Sequence, residues 1–423
     1  MVEISVIPKS MRRRQWIEQI APGIFLFILP FTHTTPLRLL CLALSLIVLV
    51  ASIALNTKRR AAFVAPSPPF LAAVAFWFLV SIVACFGSIE PSYSWGEFRN
   101  EVVYPLVAFS VFYWLTDSAD AWRRWRAILL ASFCAIAILA IASYLQDREW
   151  LRSSFVGDRN AYSTYVALMF PFLMLTYTRA ASSRWRLAAG AALILALVSG
   201  GLTLNRNLWF ALGAETVVFA ILFLVRADKG IRISRRSVLL VGLVIAVFAA
   251  SFVLVNRERN LALTNDARQA QLNFSNDPRL EIWAYAGRYI RQRPLSGHGY
   301  GRGILRNDFR THFNDPLKWH GHNVVVDYAL EAGVPGALAI IVLFAAFYGR
   351  SIRLYRSDGR NETRDWQFGA CGLAMLVGIT IKMMTDDILI RENSLLFWSI
   401  FGMMWGLASH RFEALHEPGL QDS

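Results

Sequence analysis

The chain has 423 residues, 56% of them hydrophobic and 13% aromatic, with a mean hydropathy of +0.42. Such a composition excludes a soluble enzyme of ordinary make-up. The formal net charge of +14 invites a nucleic-acid reading, but the spacing of the basic residues gives it a topological origin, and no nucleic-acid partner is expected.

An apolar helix needs about 20 residues to cross a hydrocarbon core of roughly 30 Å. Twelve stretches qualify in chain order: Ile17–Phe31, Leu37–Leu55, Pro69–Phe86, Val102–Leu115, Ala127–Tyr144, Ala161–Tyr177, Leu187–Leu204, Leu208–Val225, Val238–Val255, Val334–Tyr348, Phe368–Thr385 and Ser394–Ser409. The expected fold is an all-α integral membrane protein, a bundle of about 12 transmembrane helices. Residues 1–256 carry spans one to nine, 257–333 a loop subdomain, 334–410 spans ten to twelve, and 411–423 a polar tail. The first span follows a basic flank but runs straight into the second, so it does not read as a cleavable signal peptide. No internal repeat or low-complexity tract is visible.

Every second loop is basic. The N-terminus carries Lys9, Arg12, Arg13 and Arg14; then come Lys58, Arg59 and Arg60, Arg123, Arg124 and Arg126, and Arg179, Arg184 and Arg186. The series ends with Arg226 to Arg236, Arg350 to Arg364, and Arg411. These segments hold more than half of the 43 Lys and Arg. The opposite short loops hold only Arg38, Arg99, Arg148, Arg152, Arg159, Arg206 and Arg391. The positive-inside rule then puts both termini in the cytoplasm and the long Arg257–Asn323 loop outside. Cys41, Cys85, Cys134 and Cys371 all fall within apolar spans, which suits packing rather than zinc or a disulfide framework.

The long loop is the chemically informative segment. Asn276 or Asp277 can cap a helix whose first position is Pro278, running to about Arg293 before Pro294. Leu280, Trp283 and Ile290, with Ala284 and Gly287, form its expected apolar stripe, and Arg279 sits in its first turn. Glycines then alternate from Gly297 to Gly303; no strand precedes them, so a nucleotide fingerprint is not read there. The loop closes on His320-Gly321-His322-Asn323 before a short helix to Glu331, ended by Gly333-Val334-Pro335-Gly336. His322 at a helix N-terminus faces the positive end of the dipole, which favours an imidazole able to accept a proton. A capping or loop histidine is the plainer alternative. The H-x-H pair has no carboxylate cluster nearby, so no metal is expected.

Two further outward features stand beside the loop. Arg206 lies in a tight turn between the seventh and eighth spans, where an arginine must be solvated, paired or bound to an anion; snorkelling to lipid headgroups is its plain account. Lys382 precedes Asp386 by four residues on the eleventh span, a spacing for an ion pair, with an acceptor-orienting role for Asp386 as the second reading.

The string R-x3-W-x10-P-L-x-G-x-G-x-G (Arg279, Trp283, Pro294, Gly297, Gly299, Gly301), followed by H-N-x3-D-x2-L-E-x-G-x-P-G, resembles the O-antigen ligase and polymerase superfamily. Arg206 resembles that group's short arginine motif, although Asn207 stands where the family often has glycine. The resemblance covers mainly Thr203–Gly336. It implies a GT-C-like glycosyltransferase of the bacterial inner membrane with a periplasmic site and no cofactor. The donor would be undecaprenyl-diphosphate-linked O-antigen, the acceptor lipid A–core oligosaccharide. His322, Arg206 and Arg279 would be essential. On chemical grounds two guanidiniums suit a lipid diphosphate, while His322 can take the proton of an attacking hydroxyl. His320, Asn323, Arg288, Arg302 and Asp386 are candidate acceptor or loop contacts, with Arg291, Arg293 and Arg306 adding to the outward basic surface.

Within the superfamily a ligase is expected, since no large C-terminal outward domain of the protein-glycosylating kind follows. A polymerase or O-oligosaccharyltransferase is the alternative of the same chemistry. A transporter or flippase of lipid-linked sugars is the alternative of another class, and it should place ionisable residues near the bilayer midplane.

Overall fold

The computed structural model describes residues 9–55, 57, 60, 63–147, 150, 155–227, 278–357, 365–384 and 389–413. Among these residues there are helices and no strands. In chain order the helices are α1 (Lys9–Ile28), α2 (Thr35–Leu55), α3 (Pro68–Phe86), α4 (Pro91–Phe98), α5 (Tyr104–Leu115), α6 (Ala119–Asp147) and α7 (Arg159–Thr178). They continue with α8 (Ser183–Leu202), α9 (Arg206–Ala227), α10 (Pro278–Gln292), α11 (Arg306–Phe313), α12 (Val324–Arg356), α13 (Trp366–Met383) and α14 (Arg391–Glu413). Seven of them, α2, α3, α6, α8, α9, α12 and α13, are long and apolar enough to cross a membrane. The chain is a multi-pass membrane protein. The expected ninth span, Val238–Val255, lies outside the described residues, as do the loop before Pro278 and the tail after Glu413.

Local chemistry sets the helix starts. The Asp158 carboxylate accepts the Asn160 N–H at 2.7 Å to cap α7, and Ser182 caps α8 through the Trp185 N–H. Pro68 and Pro91 occupy first turns, where a missing N–H costs nothing. Around the fourth expected span, helical structure begins earlier than the apolar run suggested. α4 continues into α5 through a π-helical turn, Arg99–Val103, closed by the Tyr104 N–H on the Arg99 carbonyl. Pro105 follows at once; a proline lacks the N–H an α-helical ladder needs, and a π-turn absorbs the mismatch.

The bundle is held by aromatic packing and close helix approach. Phe70, Phe109, Phe347, Trp398 and Trp405 form a ring cluster with centroids 4.9 to 6.4 Å apart. α14 lies along α5. A side chain at Gly402 or Gly406 would stand 2.7 or 2.3 Å from the Phe109 or Tyr113 carbonyl oxygen, so this small-x3-small pair admits the neighbouring backbone. α13 runs between α9 and α12, and α3 flanks α12. All four cysteines are free.

Candidate active site

One end of the bundle gathers the loops that the charge pattern assigns to one side. The Thr32 N–H donates to the Phe155 carbonyl at 2.9 Å, the Ile89 N–H to the His298 carbonyl at 2.9 Å, and the Asn393 amide to the Ala161 carbonyl at 3.1 Å. Arg38 reaches Glu392 at 3.4 Å, and Arg306 reaches Glu90 at 2.9 Å. This is the end at which the long loop sits.

The loop docks into a break in α12. Ala332 and Gly333 leave helical geometry, with Gly333 at φ +70°, so that Val324–Glu331 and the apolar run from Val334 are separate helical pieces. A break in a membrane helix frees backbone groups that hydrocarbon cannot satisfy. Here the glycine-rich segment satisfies them. The His298 and Gly299 N–H groups donate to the Leu330 and Glu331 carbonyls at 2.9 and 3.0 Å, and the Val334 N–H donates to the Pro294 carbonyl at 2.7 Å. Gly297 has φ +62°, and a β-carbon there would lie 2.2 Å from the Glu331 carbonyl oxygen. Only glycine meets both conditions. His298 is buried in this joint with Nε2 3.1 Å from the Tyr289 carbonyl.

Trp283 and Ile290 of the expected α10 stripe pack against its buried cluster, but Leu280 and Ala284 do not. Leu280 is 53% exposed and Ala284 is exposed, whereas Ile282 and Ala286 are buried against Ile304, Leu305, Phe309 and Leu330. Tyr285 and Tyr289 complete that face by ring contacts to Phe309. The correction has a plain cause: the tyrosines bury their rings and belong to the apolar side, turning the stripe away from Leu280. The caps Asn276 and Asp277 lie outside the described residues. Trp283 faces the histidine turn, its indole N–H donating to the Gly321 carbonyl at 2.9 Å. Arg279, one turn earlier, shares that face. Arg288 is exposed and sits roughly 140° around the helix from Trp283, so the fold does not bring it to the turn.

The histidine turn itself is a built structure. Asn323 caps α12, its side-chain oxygen accepting the Val325 and Val326 N–H groups at 2.9 and 3.3 Å. His322 precedes the cap in left-handed geometry, φ +49°, and is half-buried. Its Nε2 lies 3.2 Å from the Leu317 carbonyl. A carbonyl only accepts, so Nε2 carries the proton and Nδ1 the lone pair of the neutral ring. The buried His320 places Nδ1 3.0 Å from Asp327 Oδ2, and Asp327 Oδ1 accepts the Gly321 N–H at 2.6 Å. The His320 and His322 ring centroids are 4.0 Å apart, Trp319 and His320 4.3 Å, and the Arg302 guanidinium stands 4.8 Å over Trp319. Arg302 is thereby drawn to the turn.

Arg206 is the exposed first residue of α9. The Asn205 side chain caps that helix through the Asn207 and Leu208 N–H groups, and its amide donates to Ser163 at 3.0 Å and to Asn160 at 3.1 Å. Ser163 also accepts from the buried Lys382 ammonium at 3.0 Å. The Met384 carbonyl, two residues on, accepts from the Asn323 amide at 3.3 Å. The end of α13 thus fastens both the Arg206 turn and the histidine turn. Asp386, the expected partner of Lys382, lies outside the described residues. Beneath Val324 and Met383 is a half-open cavity lined by Trp77, Glu101, Tyr328, Phe344, Ser394 and Trp398. Among the described residues no three His, Cys, Asp or Glu side chains are grouped to hold a metal ion.

Sequence reasoning marks Asp327 only as a position of the H-N-x3-D string, with no role, and does not single out Asn205 or Ser163. Asp327 has a signal, an acidic residue in the first turn of the helix after the histidines; Ser163, 42 positions from Asn205 and 219 from Lys382, has none.

No curated protein matches the chain. Residues 164–341, from α7 through Arg206 and the histidine turn into the second half of α12, match the family described as O-antigen ligase. Over that stretch the match runs through the docked loop and the turns just described, and it supports a place for this chain in the O-antigen ligase superfamily.

Proposed function

We propose that this protein is an O-antigen ligase of the bacterial inner membrane, a GT-C-like bundle of about 12 spans with cytoplasmic termini. In this reading residues 257–333 form a periplasmic subdomain carrying the site. The enzyme moves polysaccharide from undecaprenyl diphosphate to a sugar hydroxyl of lipid A–core. One observation carries the reading: the turn holding His322 is fastened to the helix bearing Arg279 through Trp283, and to the α13 end that also anchors the Arg206 turn.

The acceptor hydroxyl oxygen attacks the anomeric carbon of the donor sugar, and its proton passes to Nδ1 of His322. The new C–O bond forms as the bond from that carbon to the diphosphate oxygen breaks. The electron pair leaves with undecaprenyl diphosphate, whose growing charge Arg206 and Arg279 neutralise. Attack opposite the leaving group inverts the anomeric centre. Charge stabilisation of this kind is supplied by guanidinium groups without a metal or cofactor. Arg302, over Trp319, is suited to a phosphorylated acceptor.

The test is glycan transfer by the reconstituted protein, with lipid-diphosphate-linked glycan, lipid A–core and chelator present. His322→Ala should lose about 10²–10⁴-fold in kcat, the range for a general base, with donor binding retained. Lengthening of the donor-linked chain without transfer to lipid A–core would make the protein a polymerase, and movement of donor without transfer would make it a carrier.

A further inference from the structure

His320 and Asp327 are the most completely buried ionisable pair among the described residues of the loop subdomain, with side chains 2% and 0% exposed, 3.0 Å apart. Such a pair is costly to bury unless every polar atom is used. Asp327 spends one oxygen on the Gly321 N–H and the other on His320 Nδ1. The His322 N–H also lies 3.1 Å from that same Nδ1. One ring nitrogen cannot donate to the carboxylate and accept from the amide at once. A carboxylate only accepts, so Nδ1 carries the proton and the His322 amide contact is electrostatic at most.

Asp327 therefore fixes three things. It sets the tautomer of His320, it holds the Gly321 amide, and through both it keeps the turn in which His322 adopts left-handed geometry. A non-glycine residue at φ +49° is strained and persists only where its surroundings over-determine it. The His320 ring, wedged between Trp319 and His322, passes that order on to the His322 ring. Gly321 belongs to the same device: a β-carbon there would stand 2.9 Å from Asp327 Oδ1.

We propose that Asp327 and His320 form a positioning pair that holds the His322 ring, through the Nδ1–H tautomer of His320, in the orientation from which it takes the acceptor's proton. The inference rests on the reading of His322 as proton acceptor. Both side chains are buried, so His320, expected as an acceptor or loop contact, is assigned here to the loop and acts through His322.

Asp327→Asn is the discriminating change. The asparagine oxygen can still take the Gly321 N–H, so the turn keeps its anchor. Its NH2 group faces His320 Nδ1 and forces that nitrogen to accept, reversing the tautomer. In the reconstituted transfer assay, Asp327→Asn should lower kcat by about 10–100-fold, by analogy with the groups that orient metal-bound histidines. KM for the donor should stay at its native value, and a fall in thermal midpoint with native kcat would mark the pair as structural only. His320→Asn keeps an N–H donor for Asp327 but deletes the ring that packs on His322. It should cost kcat similarly and serves if Asp327→Asn does not fold. Native kcat in the folded variant would overturn the proposal, as would a loss that appears only in KM. Native protein and His322→Ala run alongside: transfer lost only in His322→Ala sinks the pair and leaves the ligase reading intact. No transfer by the native protein sinks that reading, and the pair's role with it.

Discussion

The two ends of the bundle use arginine differently. At the end opposite the long loop, guanidinium groups close the structure. Arg226 donates to the Tyr355 and Ser357 carbonyls and stacks over the Tyr355 ring. Arg350 donates to Ser409 at 2.9 Å, Arg126 to the Arg179 carbonyl at 3.4 Å, and Arg179 stands 4.4 Å over Phe368. Those helix C-termini present carbonyls with no helical partner, and cations are the natural complement. At the loop end Arg38 and Arg306 also close joints, on Glu392 and Glu90, but the Arg206 turn and the histidine turn are fastened by backbone amides and by the side chains of Asn, Ser, Asp and His. Arg206 heads a helix and Arg279 sits in a first turn, next to N–H groups rather than carbonyls. Helix polarity explains the contrast: a guanidinium beside the positive end of a helix is poorly served by that helix and well served by an anion.

The sharpest way to break this comparison is to delete one arginine from each end. Arg279→Ala should lower kcat for transfer by about 10²–10³-fold, the cost of removing one charge-stabilising donor, with little change in thermal midpoint. Arg226→Ala should do the reverse, keeping native kcat while losing roughly 1 kcal/mol for a half-buried charged hydrogen bond. Equal effects on both readouts would erase the distinction. A smaller effect tests the joint at the α12 break. Gly297→Ala forces a β-carbon against the Glu331 carbonyl at positive φ and should destabilise by about 1–3 kcal/mol, as overpacking does, read as a fall in thermal midpoint.

The smallest effect is in pH. Burial holds His298 below its ordinary value of 6.5, opposed by its bond to the Tyr289 carbonyl and reinforced by Arg293. The folded protein then binds fewer protons there than the unfolded chain. The contribution of His298 is full above 6.5 and is lost as pH falls below it through the lower folded value. Amide exchange at Gly297–Gly301, corrected for its intrinsic rate, should rise between about pH 7 and pH 5 in the native protein. In His298→Gln that rise should vanish; if it persists, another group governs the joint.

Patterns confined to a few neighbouring residues are legible in the chain. The helix start just after His322 and the interruption at Gly333 follow from side-chain oxygens that accept N–H groups and from residues that cannot continue a helix. Apolar length marks the membrane-crossing helices in the same local way. The buried face of α10 departs from the expected stripe because periodicity assigns a stripe only when each residue's side is unambiguous. Tyr285 and Tyr289 are apolar along their rings and polar at the tip, so they can fall on either side.

Covalent order alone makes this a helical membrane protein with a chemically dense loop between Pro278 and Asn323, and it marks His322, Arg279 and Arg206 through their motifs. What holds those residues is a property of the folded bundle. Packing pairs His320 with Asp327, sets Trp283 on Gly321, turns Arg288 away, and joins Asn205, Ser163 and Lys382 across the helices. Helix starts and spans are short-range consequences of neighbouring residues, whereas a buried polar contact depends on which distant segments come within about 3 Å, and no period in the chain encodes that.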